Sequence, residues 1–303
     1  MTNAAKRAWA ESAGSLQSDS ASDFGGLLFA QWRDLLDKRH GLYIAPERRS
    51  FLSAGLRSRM RKIGVRSFSD YYDLLQNGNA HLQEWSLLID VLTVHETRFF
   101  RHESSMELVS DVVREKLHRD QPFNVWSVGC ATGEEVYSLA MLLDAQFHRA
   151  GVQCLFGITG TDISLPALRS ARSGIYANKR LQGIGAEFRE KYCRAVSPKQ
   201  FQVDERLRRR VCFTHLNLRD VQDAPFSDID LIYCQNLLIY MDREKRIRIA
   251  NALADRLRPG GVLILGPGEL LGWPNPHMEK IRCDDTLAYR RVEHSSVALY
   301  ERN

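Results

Sequence analysis

Three groups of residues have types and spacings that could do chemistry. The first is Val125-Trp-Ser-Val-Gly129-Cys-Ala-Thr-Gly133-Glu-Glu135, an apolar run that enters a glycine loop and then opens a helix. Glycine allows a tight turn and a close approach of ligand to main chain. The pattern is neither the GxGxxG phosphate loop nor a P-loop, which needs a following Lys-Ser/Thr. Glu134 and Glu135 would repel the phosphate that a helix N-terminus otherwise attracts, so they suit a cofactor with a cationic group. The second is Asp162, at the end of the next apolar run and about 30 residues beyond Gly129. An acid there can accept hydrogen bonds from both ribose hydroxyls of a nucleoside; the competing reading is a turn or helix-capping aspartate. The third is Ile232-Tyr-Cys-Gln235-Asn236-Leu-Leu-Ile-Tyr240, where Asn236 and Tyr240 interrupt an apolar run. Open parallel sheets place ligands at the carboxyl ends of such strands, although a buried tyrosine often has a single hydrogen-bond partner and no further role.

The elements that position these groups follow from periodicity. From Phe123 onward strand-like and helix-like runs alternate: strands near 123–128, 154–161, 229–234 and 262–265, and helices near 134–147, 165–172 and 243–257. That alternation predicts a parallel sheet covered on both faces. Pro259-Gly260-Gly261 stops the last helix. Two runs, Thr286–Val292 and Ser296–Tyr300, predict a closing antiparallel hairpin. Between Tyr192 and Phe213 the runs Phe201–Val203 and Arg210–Phe213, with turn residues such as Ser197-Pro198 in the same stretch, predict a small antiparallel insertion.

The preceding segment, from Phe24 to about His118, reads as helical. Leu27, Leu28, Trp32, Leu35 and Leu36 recur at helical spacing, and Leu52, Leu56, Met60 and Ile63 form a second apolar stripe. Ser67 or Ser69 is placed to cap a short helix up to Leu75, and Trp85, Leu88, Ile89 and Leu92 continue the pattern. Arg57, Arg59, Arg61 and Lys62 occupy the other face of the second helix. Like-signed charges repel, so this face is either merely solvated or meets an anionic partner.

Composition narrows the class. With 44% hydrophobic and 26% charged residues over 303 positions, the chain can bury a large core without staples. No window approaches the length of a membrane span, and Met1 to Ser22 lacks the apolar core of a secretory signal; it reads as a disordered lead-in. The six cysteines form no CxxC pair, which points to small buried residues in a reducing compartment rather than a zinc site. A net charge of +5 favours anionic partners without choosing among them.

The chain resembles the bacterial chemotaxis receptor methyltransferase (CheR) family. The resemblance rests on ordered blocks: Glu96-Thr-Arg-Phe-Phe-Arg101, Trp126–Ala140, Thr161-Asp-Ile163, Ala171–Tyr176, Leu216-Asn-Leu218, Cys234–Tyr240 and Arg258-Pro-Gly-Gly261, with further similarity around Gly41 to Leu75. It implies an all-α N-terminal domain followed by an α/β, Rossmann-like class I S-adenosylmethionine-dependent methyltransferase domain, mostly parallel, with a β-subdomain inserted. The expected divisions are a lead-in at 1–22, a helical receptor-recognition domain at 23–118, and a catalytic domain at 119–303 with the insertion at about 177–213. The resemblance assigns cofactor contacts to His95, Thr97, Arg101, Gly129, Glu135, Asp162, Asn217, Leu218, Gln235 and Asn236. It places Arg101 and Tyr240 beside the reacting methyl and carboxylate. Arg57, Arg59, Arg61 and Lys62 would recognise substrate. No metal is expected.

The implied activity is methyl transfer from S-adenosylmethionine to glutamate side chains of methyl-accepting chemoreceptors, giving methyl esters and S-adenosylhomocysteine. The expected partner is the receptor's cytoplasmic helical bundle, met by a cytoplasmic monomer that binds no nucleic acid and inserts in no membrane. Three departures from the family pattern stand out: His95 where Asn is frequent, Gln235 where Arg is frequent, and Gly266-Pro-Gly-Glu269 in place of Gly-His-Ser-Glu. The last loop should keep its turn and lose a side-chain contact. Amino-group DNA methyltransferases carry Asn/Asp-Pro-Pro-Tyr/Phe where this chain has Gln235–Tyr240 without proline. The rival reading from another class is a receptor-docking module that holds the cofactor with little or no turnover. The stretch Ala195–Val203 lacks a glycine turn, which favours action independent of a receptor tether; the pathway stays open between flagellar chemotaxis and a pilus-linked twitching branch.

Overall fold

The computed structural model describes residues 24–77, 81–93, 96–117 and 121–292. The lead-in at 1–22, His95 and the run at 296–300 lie outside the described residues. The described residues open with four helices: α1 (Gly26–His40), α2 (Arg49–Ile63), α3 (Phe68–Asn77) and α4 (His81–Leu92), with a 3-10 turn at Pro46–Arg48. Gly41 ends α1 in the left-handed region at φ 67°, a conformation that costs glycine little. Ser67 caps α3, its hydroxyl accepting from the Asp70 amide at 3.0 Å. The expected stripes meet in one core of Trp32, Leu36, Leu52, Leu56, Tyr71 and Leu88. Ile63, which should have closed the α2 stripe, is 37% exposed, because it lies in the last turn before Gly64.

Arg59 corrects the reading of the basic face. Leu52, Leu56 and Arg59 follow one another at helical spacing, so Arg59 continues the buried stripe and is 6% exposed. Its Nε and Nη2 donate to the two carboxylate oxygens of Glu84 at 2.9 and 2.6 Å, and the Tyr71 hydroxyl donates to the same carboxylate at 2.7 Å. Arg57 is half-buried, its guanidinium 5.5 Å from the Phe68 ring centre. Arg61 and Lys62 are exposed.

A seven-stranded sheet follows, in the order β6-β2-β1-β7-β8-β10-β9. Its strands are β1 (Phe123–Val128), β2 (Phe156–Asp162), β6 (Val211–His215), β7 (Ile229–Cys234), β8 (Leu257–Leu265), β9 (Met278–Ile281) and β10 (Leu287–Arg291). The pairs from β6 through β8 are parallel, and β10 is antiparallel to both β8 and β9. The helices are α5 (Glu103–Lys116), α6 (Glu134–Arg149), α7 (Leu165–Ser173), α8 (Ala186–Tyr192), α9 (Glu205–Arg208) and α10 (Arg243–Arg256). A separate three-stranded sheet joins β3 (Ile175–Ala177), β5 (Gln200–Val203) and β4 (Cys193–Ser197), all antiparallel.

Three expectations are corrected here. The run Arg210–Phe213 does not belong to the small sheet: β6 pairs with β2 and forms the edge of the large one. The small sheet instead begins at Ile175 and ends at Val203. Strand β10 pairs antiparallel with β8 and with β9, upstream of it; the expected hairpin partner at 296–300 lies outside the described residues. Helix α5, assigned by sequence to the helical domain, shares its core with the sheet, since Met106, Val109 and Val113 pack in the cluster of Val125, Leu139 and Val262. Cys130 and Cys234 are buried as expected, whereas Cys212 is exposed, because alternation on edge strand β6 sends Phe213 inward and Cys212 out.

Candidate active site

A cleft opens at the carboxyl ends of β1, β2 and β7, and the helical domain forms its far wall. Of the sequence-predicted residues, Thr97, Arg101, Gly129, Glu135, Asp162, Asn217, Leu218, Gln235, Asn236 and Tyr240 all line it. His95 lies outside the described residues. Arg57, Arg59, Arg61 and Lys62 do not line the cleft.

The glycine loop is hooked onto β2. Gly129 and Cys130 both donate to the Thr161 carbonyl, at 2.8 and 2.9 Å. Gly129 has φ 74°, and a Cβ there would come within 2.6 Å of Leu237, so only glycine lets the loop pass this close to the third group of residues. Asp162 plays the structural part considered for it and also faces the cleft. Its Oδ1 accepts from Ser164 N and its Oδ2 from Ala131 N, both at 2.8 Å, and each carboxylate oxygen can accept more than one hydrogen bond.

Glu134 and Glu135 divide the roles that the sequence gave them jointly. Glu134 is buried, accepts from Thr132 Oγ1 at 2.5 Å and lies 3.7 Å from Arg180. Glu135 reaches the cleft, accepting from Ser127 Oγ at 2.7 Å. Burial pushes its carboxyl up to about 8, against the pull of the Ser127 hydroxyl and the Arg101 charge. A carboxyl held in this way favours a cationic ligand group, which would restore its ionised form.

The segment from Thr97 to Arg101 is built on the insertion. The Phe99 ring meets Tyr176 edge-on at 5.1 Å, Arg180 donates to the Thr97 carbonyl at 2.6 Å, and Phe100 N donates to Ser138 Oγ at 3.0 Å. Arg101 Nη1 donates to the Glu96 carbonyl at 2.7 Å, which leaves other guanidinium donors for a ligand.

Beyond β7 the chain bends at Asn236, with φ 58°. Asn236 Oδ1 lies 2.8 Å from His102 Nε2. Gln235 is buried and saturated: it accepts from the Tyr233 hydroxyl at 2.9 Å and donates to Ser105 Oγ at 2.7 Å and to the Leu265 carbonyl at 3.3 Å. The departure at Gln235 thus cross-links β7, β8 and α5. Asn217 accepts from Arg219 N at 3.1 Å and reaches the Arg39 carbonyl at 3.4 Å, joining the site to the end of α1.

Several contributors escaped the sequence reading. His40 to Ile44 and Arg48 come from the helical domain to line the cleft, and the Arg48 guanidinium lies 5.9 Å from the Tyr240 ring centre. Gly41 signalled a helix end, but nothing local indicated which surface the following residues would cover. Glu269 was noted only as part of an altered loop; its carboxylate accepts from three backbone amides of the bend after β7 and from the Gly266 amide after β8.

The donor set fits a nucleoside linked to a cationic amino acid: a glycine loop open to close approach, an aspartate for ribose hydroxyls and a buried glutamate for positive charge. Among the described residues no group of three or more His, Cys, Asp or Glu could hold a metal, and no helix is long and apolar enough to cross a membrane.

Comparison with known proteins gives the same picture. The family model "CheR methyltransferase, SAM binding domain" matches residues 95–287, and "CheR methyltransferase, all-alpha domain" matches residues 28–93. The chemotaxis protein methyltransferase of Borreliella burgdorferi is 30% identical over 256 residues, covering 82% of this chain and 86% of the relative. That of Klebsiella aerogenes is 33% identical over 245 residues, covering 80% and 82%. That of Escherichia coli is 32% identical over 244 residues, covering 80% and 83%.

Proposed function

The chain belongs to the CheR methyltransferase family, and we propose that it forms methyl esters on glutamate side chains of methyl-accepting chemoreceptors. It is an S-adenosylmethionine-dependent methyltransferase of chemotaxis. The cofactor supplies an electrophilic methyl group on a sulfonium. Glu135 is read as the acceptor for its cationic end, Asp162 as the acceptor for the ribose hydroxyls, and Asn217 and Leu218 as contacts at the base.

The observation that carries the reading is the convergence of Arg101 and Tyr240 on one cleft with the glycine loop and Asp162. A glutamate side chain has an ordinary pKa near 4.3, so the nucleophile is ionised at neutral pH and needs no general base. Bound in the cleft, the cofactor would supply the methyl carbon to the substrate's carboxylate oxygen, a C–O bond forming as the S–CH3 bond breaks and leaves its electron pair on sulfur. The protein's task is to orient the carboxylate and exclude water. The Tyr240 hydroxyl and the Arg101 guanidinium are donors suited to that task. A strong arginine clamp would stabilise the ground state as much as the transition state, and the hold of the Glu96 carbonyl on Arg101 limits such a clamp.

Methyl-labelled cofactor incubated with a chemoreceptor cytoplasmic fragment tests the reading. Label should enter the receptor and be released by mild base as methanol. Base-stable label would mean methylation of nitrogen or sulfur, and cofactor binding without transfer would mean a docking module.

A further inference from the structure

We propose that Glu269 is a positioning residue for methyl transfer, acting as a splint that fixes Tyr240 through the backbone of the Leu237–Ile239 segment. The Glu269 carboxylate is 1% exposed. Its Oε1 accepts from the amides of Leu237, Leu238 and Ile239 at 2.8, 2.9 and 3.3 Å. Its Oε2 accepts from the Gly266 amide at 2.6 Å. The turn that folds it back is closed by Glu269 N donating to the Gly266 carbonyl at 3.1 Å. A Cβ on residue 266 would fall 2.7 Å from Glu269 Oε2, so glycine there leaves room for the carboxylate.

The carbonyls of the same bend are held from the other side. Arg246, on α10, donates to the carbonyls of Met241 at 2.8 Å, Glu269 at 3.1 Å and Ile239 at 3.3 Å. One anion on the amides and one cation on the carbonyls thus bracket Tyr240. The residues nearer the cofactor have anchors of their own: Asn236 meets His102, and Gln235 bonds to Ser105, Tyr233 and Leu265. Loss of Glu269 therefore loosens the Leu237–Ile239 segment that leads into Tyr240, leaves only Arg246 to hold it, and spares the anchors of Gln235 and Asn236. A charged acceptor binding four amides is costly to bury for stability alone, whereas a bend that must hold one phenol in register gains from it.

The proposal rests on Tyr240 orienting the substrate carboxylate, so Tyr240→Phe is measured alongside. Glu269→Gln keeps the shape but places a second donor against backbone amides. Glu269→Asp draws the carboxylate back by one methylene while keeping its charge, and it serves if Glu269→Gln does not fold. Asp230→Asn is the control: Asp230 is equally buried, but at the opposite end of β7, where it accepts from Asn124 N at 2.9 Å. Hydrogen exchange of the amides at 237–239 should accelerate about tenfold or more in Glu269→Gln or Glu269→Asp and stay unchanged in Asp230→Asn. Turnover at saturating cofactor and receptor fragment should fall about tenfold, with the S-adenosylmethionine dissociation constant changed less than about threefold. Wild-type turnover after loss of amide protection overturns the proposal, as do parallel losses of turnover and cofactor affinity. Wild-type turnover in Tyr240→Phe removes the reading of Tyr240 beneath it, and unchanged amide exchange in both loop variants removes the splint itself.

Discussion

Glu135 is expected to make cofactor binding strongly pH-dependent. Its carboxyl is pushed up to about 8, chiefly by burial, and a cationic ligand requires the carboxylate form. The ionised fraction is then about one-tenth at pH 7 and about one-hundredth at pH 6, and the apparent dissociation constant scales inversely with it. Affinity for S-adenosylmethionine should rise about tenfold per pH unit from pH 6 toward pH 8 and level off above. Binding at pH 7 should release close to one proton, measurable by titration calorimetry in two buffers of different ionisation enthalpy. Glu135→Gln should release no proton and bind with a flat pH profile, and its difference from wild type isolates this group from the cofactor's own titration. The same shift has a sign for folding. A carboxyl whose folded pKa is raised stabilises the protein below its unfolded value, near 4.5, and that contribution is lost as pH rises through about 8. The melting temperature of the ligand-free protein should therefore fall over that window more in wild type than in Glu135→Gln. A wild-type protein that binds cofactor at pH 7 with no proton release, and equally well at pH 6 and 8, refutes the reasoning.

Asp162→Ala should weaken S-adenosylmethionine binding by roughly 1.5 to 3 kcal/mol, because it removes the ribose acceptor and releases the Ala131 and Ser164 amides; an unchanged dissociation constant in calorimetry would reduce Asp162 to a turn residue. Tyr240→Phe should lower turnover much more than cofactor affinity, and equal losses would move Tyr240 into the cofactor contacts. Arg61→Ala with Lys62→Ala should raise the Michaelis constant for receptor and flatten its salt dependence, since exposed charges are screened over roughly 8 to 10 Å at physiological ionic strength; wild-type kinetics at low salt would exclude this face from recognition. Arg59→Ala should instead destabilise the fold by about 3 to 5 kcal/mol by stranding the buried Glu84 carboxylate, and a melting temperature equal to wild type would contradict the buried pair.

The site was legible in the sequence where its chemistry and its backbone coincide. Asp162 ends β2, and Gly129 and Asn236 lie one and two residues past the ends of β1 and β7, so strand periodicity and residue type pointed to them together. The large sheet was legible for the same reason: β7 runs from Ile229 to Cys234, the bounds its apolar run predicts. What periodicity could not carry was partnership between distant segments. The run at 210–213 looks like a hairpin strand beside 201–203, yet it joins the large sheet, because parallel pairing with β2 is set by the crossover through α7 and the insertion rather than by neighbours in sequence. Glu269 looked like a remnant of an altered loop, and only the fold shows four amides converging on it. Arg59 looked like one more cation in a run of them. Its position seven residues after Leu52 and three after Leu56 was the available signal, and reading the helix by charge alone hid it.

The helical domain is part of the site's construction as well as a surface beside it. Asp37 at the end of α1 binds Lys245 of α10 through both carboxylate oxygens, at 2.8 and 2.7 Å. Ser164, which caps α7 two residues after Asp162, donates to Asp90 of α4 at 2.5 Å. Asn217 reaches the Arg39 carbonyl, and a Cβ on Gly41 would collide with Arg219 at 2.8 Å. These contacts seat the stretch from His40 to Ile44 against the loops that follow β2 and β6. The 3-10 turn that places Arg48 beside Tyr240 runs straight into α2, whose exposed end carries Arg61 and Lys62. One continuous piece of chain therefore lines the cleft at one end and presents cations to solvent at the other. The buried Arg59, Glu84 and Tyr71 network holds α2, α3 and α4 together between those ends. Removing a surface cation should alter only encounter with an anionic partner, whereas breaking the buried network should disturb the cleft wall as well, which is why the exposed and buried cations of α2 have to be tested apart.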